Sequence, residues 1–145
     1  MMQLPLSKKE EQLVIAAIQS AERGTSGEIR VHFQRRVNGN LLETAQRTFL
    51  KLGMQNTRLR NAALIVVFLE SKKFAILGDK GINDVVPDNF WDETCSLMGS
   101  FFRQGKMADG LCAGVAQIGE KLKAFFPAGE ENPNELDDTL TMDVS

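Results

Sequence analysis

Asn61-Ala62-Ala63-Leu64-Ile65-Val66-Val67-Phe68-Leu69 is the stretch that decides the fold. It is near-continuously apolar, short, and carries Ile and Val at its centre. Such a run reads as a central β-strand covered on both faces. Layers are therefore needed on either side of it. Glu70–Lys73 forms a short polar turn, and Phe74-Ala75-Ile76-Leu77 reads as the hairpin partner. Upstream, Ile29, Val31 and Phe33 alternate with Arg30, His32 and Gln34, the period of a strand with one better-buried face.

The covering layers come from four helical patterns. Ser7-x-x-Glu10 is a capping-box signature, followed at helical spacing by Leu13, Val14, Ala17, Ile18 and Ala21 until Gly24. Leu42, Ala45, Phe49 and Leu52 mark a second helix, closed by Gly53. After Pro87, Asp88 is placed to cap a third, which carries Phe90, Trp91, Leu97, Met98, Phe101 and Phe102 as core. A fourth runs from about Met107 to Phe126, where Pro127 stops it. Together these predict an α/β fold: a three-layer α/β/α sandwich with a small mixed β-sheet flanked by helices.

At 145 residues the chain is the size of one domain. The net charge of −2 hides a segregation. Six of the 19 acids fall in Ala128–Ser145, which has no Lys or Arg, so the rest of the chain holds 13 acids against 17 basic residues. The expected organisation is one domain over 1–127 with an acidic extension over 128–145, partly packed on the body and loose from about Thr139 to Ser145. A sequence pI near 5.5 and a basic cluster no larger than Arg35-Arg36 exclude nucleic-acid binding as a leading idea. No stretch is apolar enough to span a membrane, and the start lacks a signal-peptide pattern. Cys95 and Cys112 show no redox or metal spacing and read as free thiols in a reduced, cytoplasmic setting, with a single bridge between them as the alternative. A monomer is expected.

Candidate chemistry centres on Gly78-Asp79-Lys80-Gly81, since open α/β folds take ligands at strand carboxyl ends. Asp79 offers oxygens to a hard cation, Ca²⁺ or Mg²⁺, with Glu28, Asp109, Asp84 and Asp88 as further ligands. Equally, Asp88 is a helix cap, Asp84 and Asp109 are solvated, and Gly78-Asp79 is a turn. Lys80-Gly81 lacks the rest of a phosphate-loop pattern. Arg58 and Arg60 are placed to grip a phosphate, or to pair with nearby acids. His32, the only histidine, excludes a multi-histidine zinc site and reads as structural.

Several stretches, taken in order, resemble the TPM domain family, in particular its short bacterial branch without a membrane anchor. They are Thr25-Ser26-Gly27-Glu28-Ile29-Arg30-Val31-His32, Phe49–Thr57, Arg60–Ile65, Gly78–Ile82, Phe90-Trp91-Asp92 and Asn134-Glu135-Leu136. The resemblance spans about residues 7–139. It implies a sheet flanked by helices, and relatives include a plant thylakoid-lumen protein with acid phosphatase activity and a role in photosystem II repair. Some members bind Ca²⁺ through carboxylates near strand ends. Glu28, Asp79 and Asp109 match the family's acidic positions, while Asn83 and Pro87-Asp88 depart from it within the loop. The leading expectation is a divalent-cation-binding protein. A weak metal-dependent phosphatase and a protein-interaction module in repair or quality control are the alternatives.

Overall fold

The computed structural model describes residues 4–129 and 140–143. In chain order the elements are α1 (Lys8–Glu22), β1 (Glu28–Gln34), α2 (Leu41–Lys51), β2 (Ala62–Phe68), β3 (Lys73–Gly78), α3 (Lys80–Asn83), α4 (Asp92–Arg103), α5 (Met107–Phe125) and β4 (Thr141–Asp143). Among the described residues the strands form one mixed sheet in the order β3-β2-β1-β4. β2 and β4 run parallel to β1, and β3 is antiparallel to β2.

Every residue of β2 is buried, because the strand sits inside the sheet with a helical layer on each face. On one face Ile29, Val31, Phe33, Ala63, Ile65 and Val67 pack with α1, α4 and α5. On the other, Ala62, Leu64, Val66 and Phe68 pack with Ala45, Phe49 and Met54 from α2 and the turn after it. This is an α/β sandwich. The helix starts follow local chemistry: Ser7 and Glu10 complete the capping box of α1, and Asn40 accepts from the amides of Leu42 and Glu43 at α2. Gly53, at φ +71, supplies the left-handed turn after α2.

Four details differ from the sequence reading. β1 is buried on both faces, since His32 and Gln34 are covered on the α2 side; the alternation of polar residues there marks buried hydrogen-bonding groups. Asp88 does not cap a helix. The chain turns through Asp88–Trp91, and α4 starts at Asp92 with Trp91 in the cap position and no side-chain cap. A four-residue helix, α3, follows Asp79 directly. Thr141–Asp143, expected to be loose, pair with His32–Gln34 as a fourth strand. Asn134-Glu135-Leu136 lies outside the described residues.

Candidate functional site

The polarity of β3 moves the Gly78–Gly81 loop to an unexpected end of the sheet. Because β3 is antiparallel to β2, its carboxyl end lies where β1 and β2 begin: Gly78 pairs with Ala63, and the Asp79 amide donates to the Ala62 carbonyl at 2.9 Å. The carboxyl ends of the parallel strands, which the ligand-binding rule concerns, are at Gln34 and Phe68.

Asp79 is buried and fully engaged. Its Oδ2 accepts from Arg60 Nε at 2.6 Å, and its Oδ1 accepts from Arg60 Nη2 at 2.8 Å and from the Lys80 amide at 2.7 Å. One carboxylate thus caps α3 and takes both prongs of a guanidinium. The bond to Asp79 raises the Arg60 pKa above its usual value, against the opposing effect of burial. Arg60 itself sits at φ +52. Gly81 lets this arrangement close: its amide donates to the Arg60 carbonyl at 2.8 Å, and a Cβ there would stand 2.6 Å from that oxygen and closer still to the Leu59 carbonyl. Asn83 Nδ2 donates back to the Gly78 carbonyl at 2.9 Å.

Glu28 opens β1 opposite Ala62 and is only 4% exposed. Beside it, Asn61 Nδ2 donates to Ser26 Oγ at 3.2 Å. The loop that carries the chain from α2 to β2 at this end holds two further buried oxygens, Gln55 Oε1 and Thr57 Oγ1. Neither has a hydrogen-bond partner among the described residues. Buried polar atoms ordinarily find one, so these two stand out.

The remaining candidates lie apart. Asp84 is exposed and pairs with Lys80 at 2.8 Å, and Asp88 is an exposed turn residue. Asp109 is exposed in the first turn of α5. Met107, at the start of that helix, lines a cavity with Val67–Leu69, so Asp109 belongs to the end of the sheet away from Glu28 and Asp79. Among the described residues no three His, Cys, Asp or Glu side chains come together as a metal-binding group. Arg58 is exposed two residues before Arg60, whose guanidinium is occupied by Asp79.

One buried polar system was not picked out as a site from the sequence. His32 Nδ1 lies 2.7 Å from Thr141 Oγ1, and Thr48 Oγ1 donates to Gln34 Oε1 at 2.6 Å. The alternation Arg30-His32-Gln34 was its signal, but the partners come from α2 and β4, far along the chain.

The TPM domain profile matches residues 5–121. The chain is 40% identical to the BA42 protein from the psychrophilic bacterium Bizionia argentinensis, whose NMR structure superposes with a TM-score of 0.91 over 99% of both chains. The N-terminal domain of a P. gingivalis protein is 21% identical, with a TM-score of 0.68 over 87% of this chain and 83% of that one. That of a Corynebacterium glutamicum protein is 17% identical, with a TM-score of 0.64 over 90% and 82%. These last two share the fold. No curated protein matches. Among the described residues no helix is long and apolar enough to cross a membrane.

Proposed function

The chain belongs to the TPM domain family, and from that premise we propose that it binds a divalent cation, Ca²⁺ or Mg²⁺, where Glu28 opens β1. The observation that carries this reading is the set of buried oxygens at that end of the sheet. Glu28 supplies a carboxylate, and Gln55 Oε1 and Thr57 Oγ1 are neutral oxygens buried without a partner among the described residues. Hard cations take such mixed sets of carboxylate, amide and hydroxyl oxygens. Asp79 lies at the same end but joins only if Arg60 releases it. Asp84, Asp88 and Asp109 drop out of the ligand set, being exposed and, for Asp109, at the other end. The setting proposed is the cytoplasm, supported by two free cysteines.

The metal-dependent phosphatase reading has less support, because Arg60, one of its two phosphate-holding arginines, is committed to Asp79. A protein partner in repair rests on resemblance alone. The test is a Ca²⁺ titration of the full chain followed by amide NMR. Saturable shifts at Gly27–Ile29 and Gln55–Asn61, lost in Glu28→Gln, are expected; unchanged spectra at millimolar Ca²⁺ overturn the reading.

A further inference from the structure

A cavity of about 400 Å³ opens at the opposite end of the sheet, where β2 finishes at Val67–Phe68 and the chain turns into β3. This is the carboxyl end of the parallel strand pair, the end at which open α/β sheets take ligands. Its size falls in the range of roughly 300–1,000 Å³ usual for small-molecule pockets. The floor is apolar: Phe74 and Phe102 meet edge to face at 5.0 Å between ring centroids, with Val67, Phe68, Leu69 and Met107 beside them.

The rim is cationic. Lys72, Lys73 and Arg103 all line the cavity, and among the described residues none of them forms an ion pair. The acid of the hairpin turn, Glu70, is taken by Arg35, with Arg36 at 3.9 Å, so it leaves the two lysines uncompensated. Asp109 is exposed one turn into α5 and does not line the cavity. Gly99 keeps the mouth open on the α4 side. A Cβ there would stand 3.2 Å from Arg103 Nη1 and 4.0 Å from the Phe74 ring, so its absence lets the guanidinium fold back along the helix toward the aromatic floor.

An apolar floor under three uncompensated cations suits a ligand with a tail and an anionic head. We propose that this cavity binds a small amphipathic carboxylate, an acyl chain whose tail lies on Phe74, Phe102 and Met107 and whose head is held by Lys72, Lys73 and Arg103. The guanidinium fork matches a carboxylate in two-point contact, and the lysines supply charge without demanding one geometry. This site is separate from the cation site proposed above, and neither depends on the other.

The experiment is an NMR titration of the full chain with decanoate below its micelle concentration, with 1-decanol and inorganic phosphate in parallel. Decanoate should give saturable shifts at Phe74, Gly99, Phe102 and Met107. Decanol should bind about tenfold more weakly, and phosphate alone should leave the aromatic floor unmoved. The double variant Lys73→Gln/Arg103→Gln, altered only at charged rim positions, should weaken decanoate about tenfold, whereas Lys8→Gln on α1 should not. Absence of saturable shifts, equal binding of decanol, or undiminished binding by the double variant overturns the proposal.

Discussion

Asp79 and Arg60 are joined by two parallel hydrogen bonds, 2.6 and 2.8 Å, although they lie nineteen positions apart in the chain. The pair ties the loop entering β2 to the loop leaving β3, so both edges of the hairpin are fixed at one point. Asp79→Ala should therefore destabilise the fold by more than its lost α3 cap, which alone is worth about 1 kcal/mol. Arg60→Ala should cost more still, because it leaves the Asp79 carboxylate, only 5% exposed, without its charge partner, whereas the guanidinium orphaned by Asp79→Ala is 44% exposed and is hydrated. Urea unfolding of the two variants checks the order.

Gly81 supports the same clasp through space. Its missing Cβ would stand 2.6 Å from the Arg60 carbonyl oxygen, which is backbone and has no rotamer to yield. Gly81→Ala should lower stability by about 1–3 kcal/mol. At Gly39, φ is +86 but nothing lies within 4 Å. Gly39→Ala should cost only the conformational strain, about 1 kcal/mol, and thermal melts of the two variants should separate them.

These contacts show why the clasp was only half legible. The apolar run from Ala62 to Leu69 announced a doubly covered strand, and the capping box at Ser7 announced α1, because both signals are local. Arg60 and Asp79 were each singled out, and pairing with an acid was one reading of the arginine. The hairpin reading already set β3 antiparallel to β2; what the pattern lacked was the non-local parallel pairing of β1 with β2, which places Gly78-Asp79 at the Glu28 end of the sheet. β4 was missed for a similar reason: Thr141-Met142-Asp143 is short and carries no alternation, and it becomes a strand only because the edge of β1 receives it. The acids of the proposed cation set are scattered over 28–109, and only the fold separates Asp109 from Glu28.

The contact between α1 and α5 gives a second test of packing. A Cβ on Gly119 would meet Ala21 Cβ at 2.6 Å and its Cα at 3.1 Å, whereas one on Gly114 would meet the Met98 side chain, with Cγ at 2.6 Å. A thioether chain repacks and a helix backbone does not. Gly119→Ala should thus cost more than Gly114→Ala, with a difference of at least about 1 kcal/mol by chemical denaturation.

The two thiols predict a pH response. Burial, with a smaller contribution from Asp92 for Cys95 and Asp109 for Cys112, raises both pKa values above the usual thiol range. The fold favours the neutral thiols. Their contribution is fully present below the unfolded thiol pKa, about 8.5, and is lost as pH rises through the higher folded values. Stability should fall in that alkaline window, and Cys95→Ser/Cys112→Ser should flatten the slope. At neutral pH, both thiols should react with an alkylating reagent more slowly than a free cysteine.

Thr141–Asp143 cover β1 across His32–Gln34, and Thr141 Oγ1 lies 2.7 Å from His32 Nδ1. Thr141→Val keeps the shape and removes the hydrogen bond, leaving a buried ring nitrogen short of that contact. A loss of about 1–2 kcal/mol is expected. Ending the chain after Thr139 should do more, since it strips the strand and exposes the backbone edge of β1 along with His32. An unpaired edge of this kind templates pairing with another chain, so the truncated protein should melt lower and elute larger at high concentration. If truncation changed neither melting nor elution, β4 would be an ornament on β1 rather than its cover. If Thr141→Val alone matched the truncation, one side-chain hydrogen bond would outweigh the whole strand, against the roughly 1–2 kcal/mol expected for it.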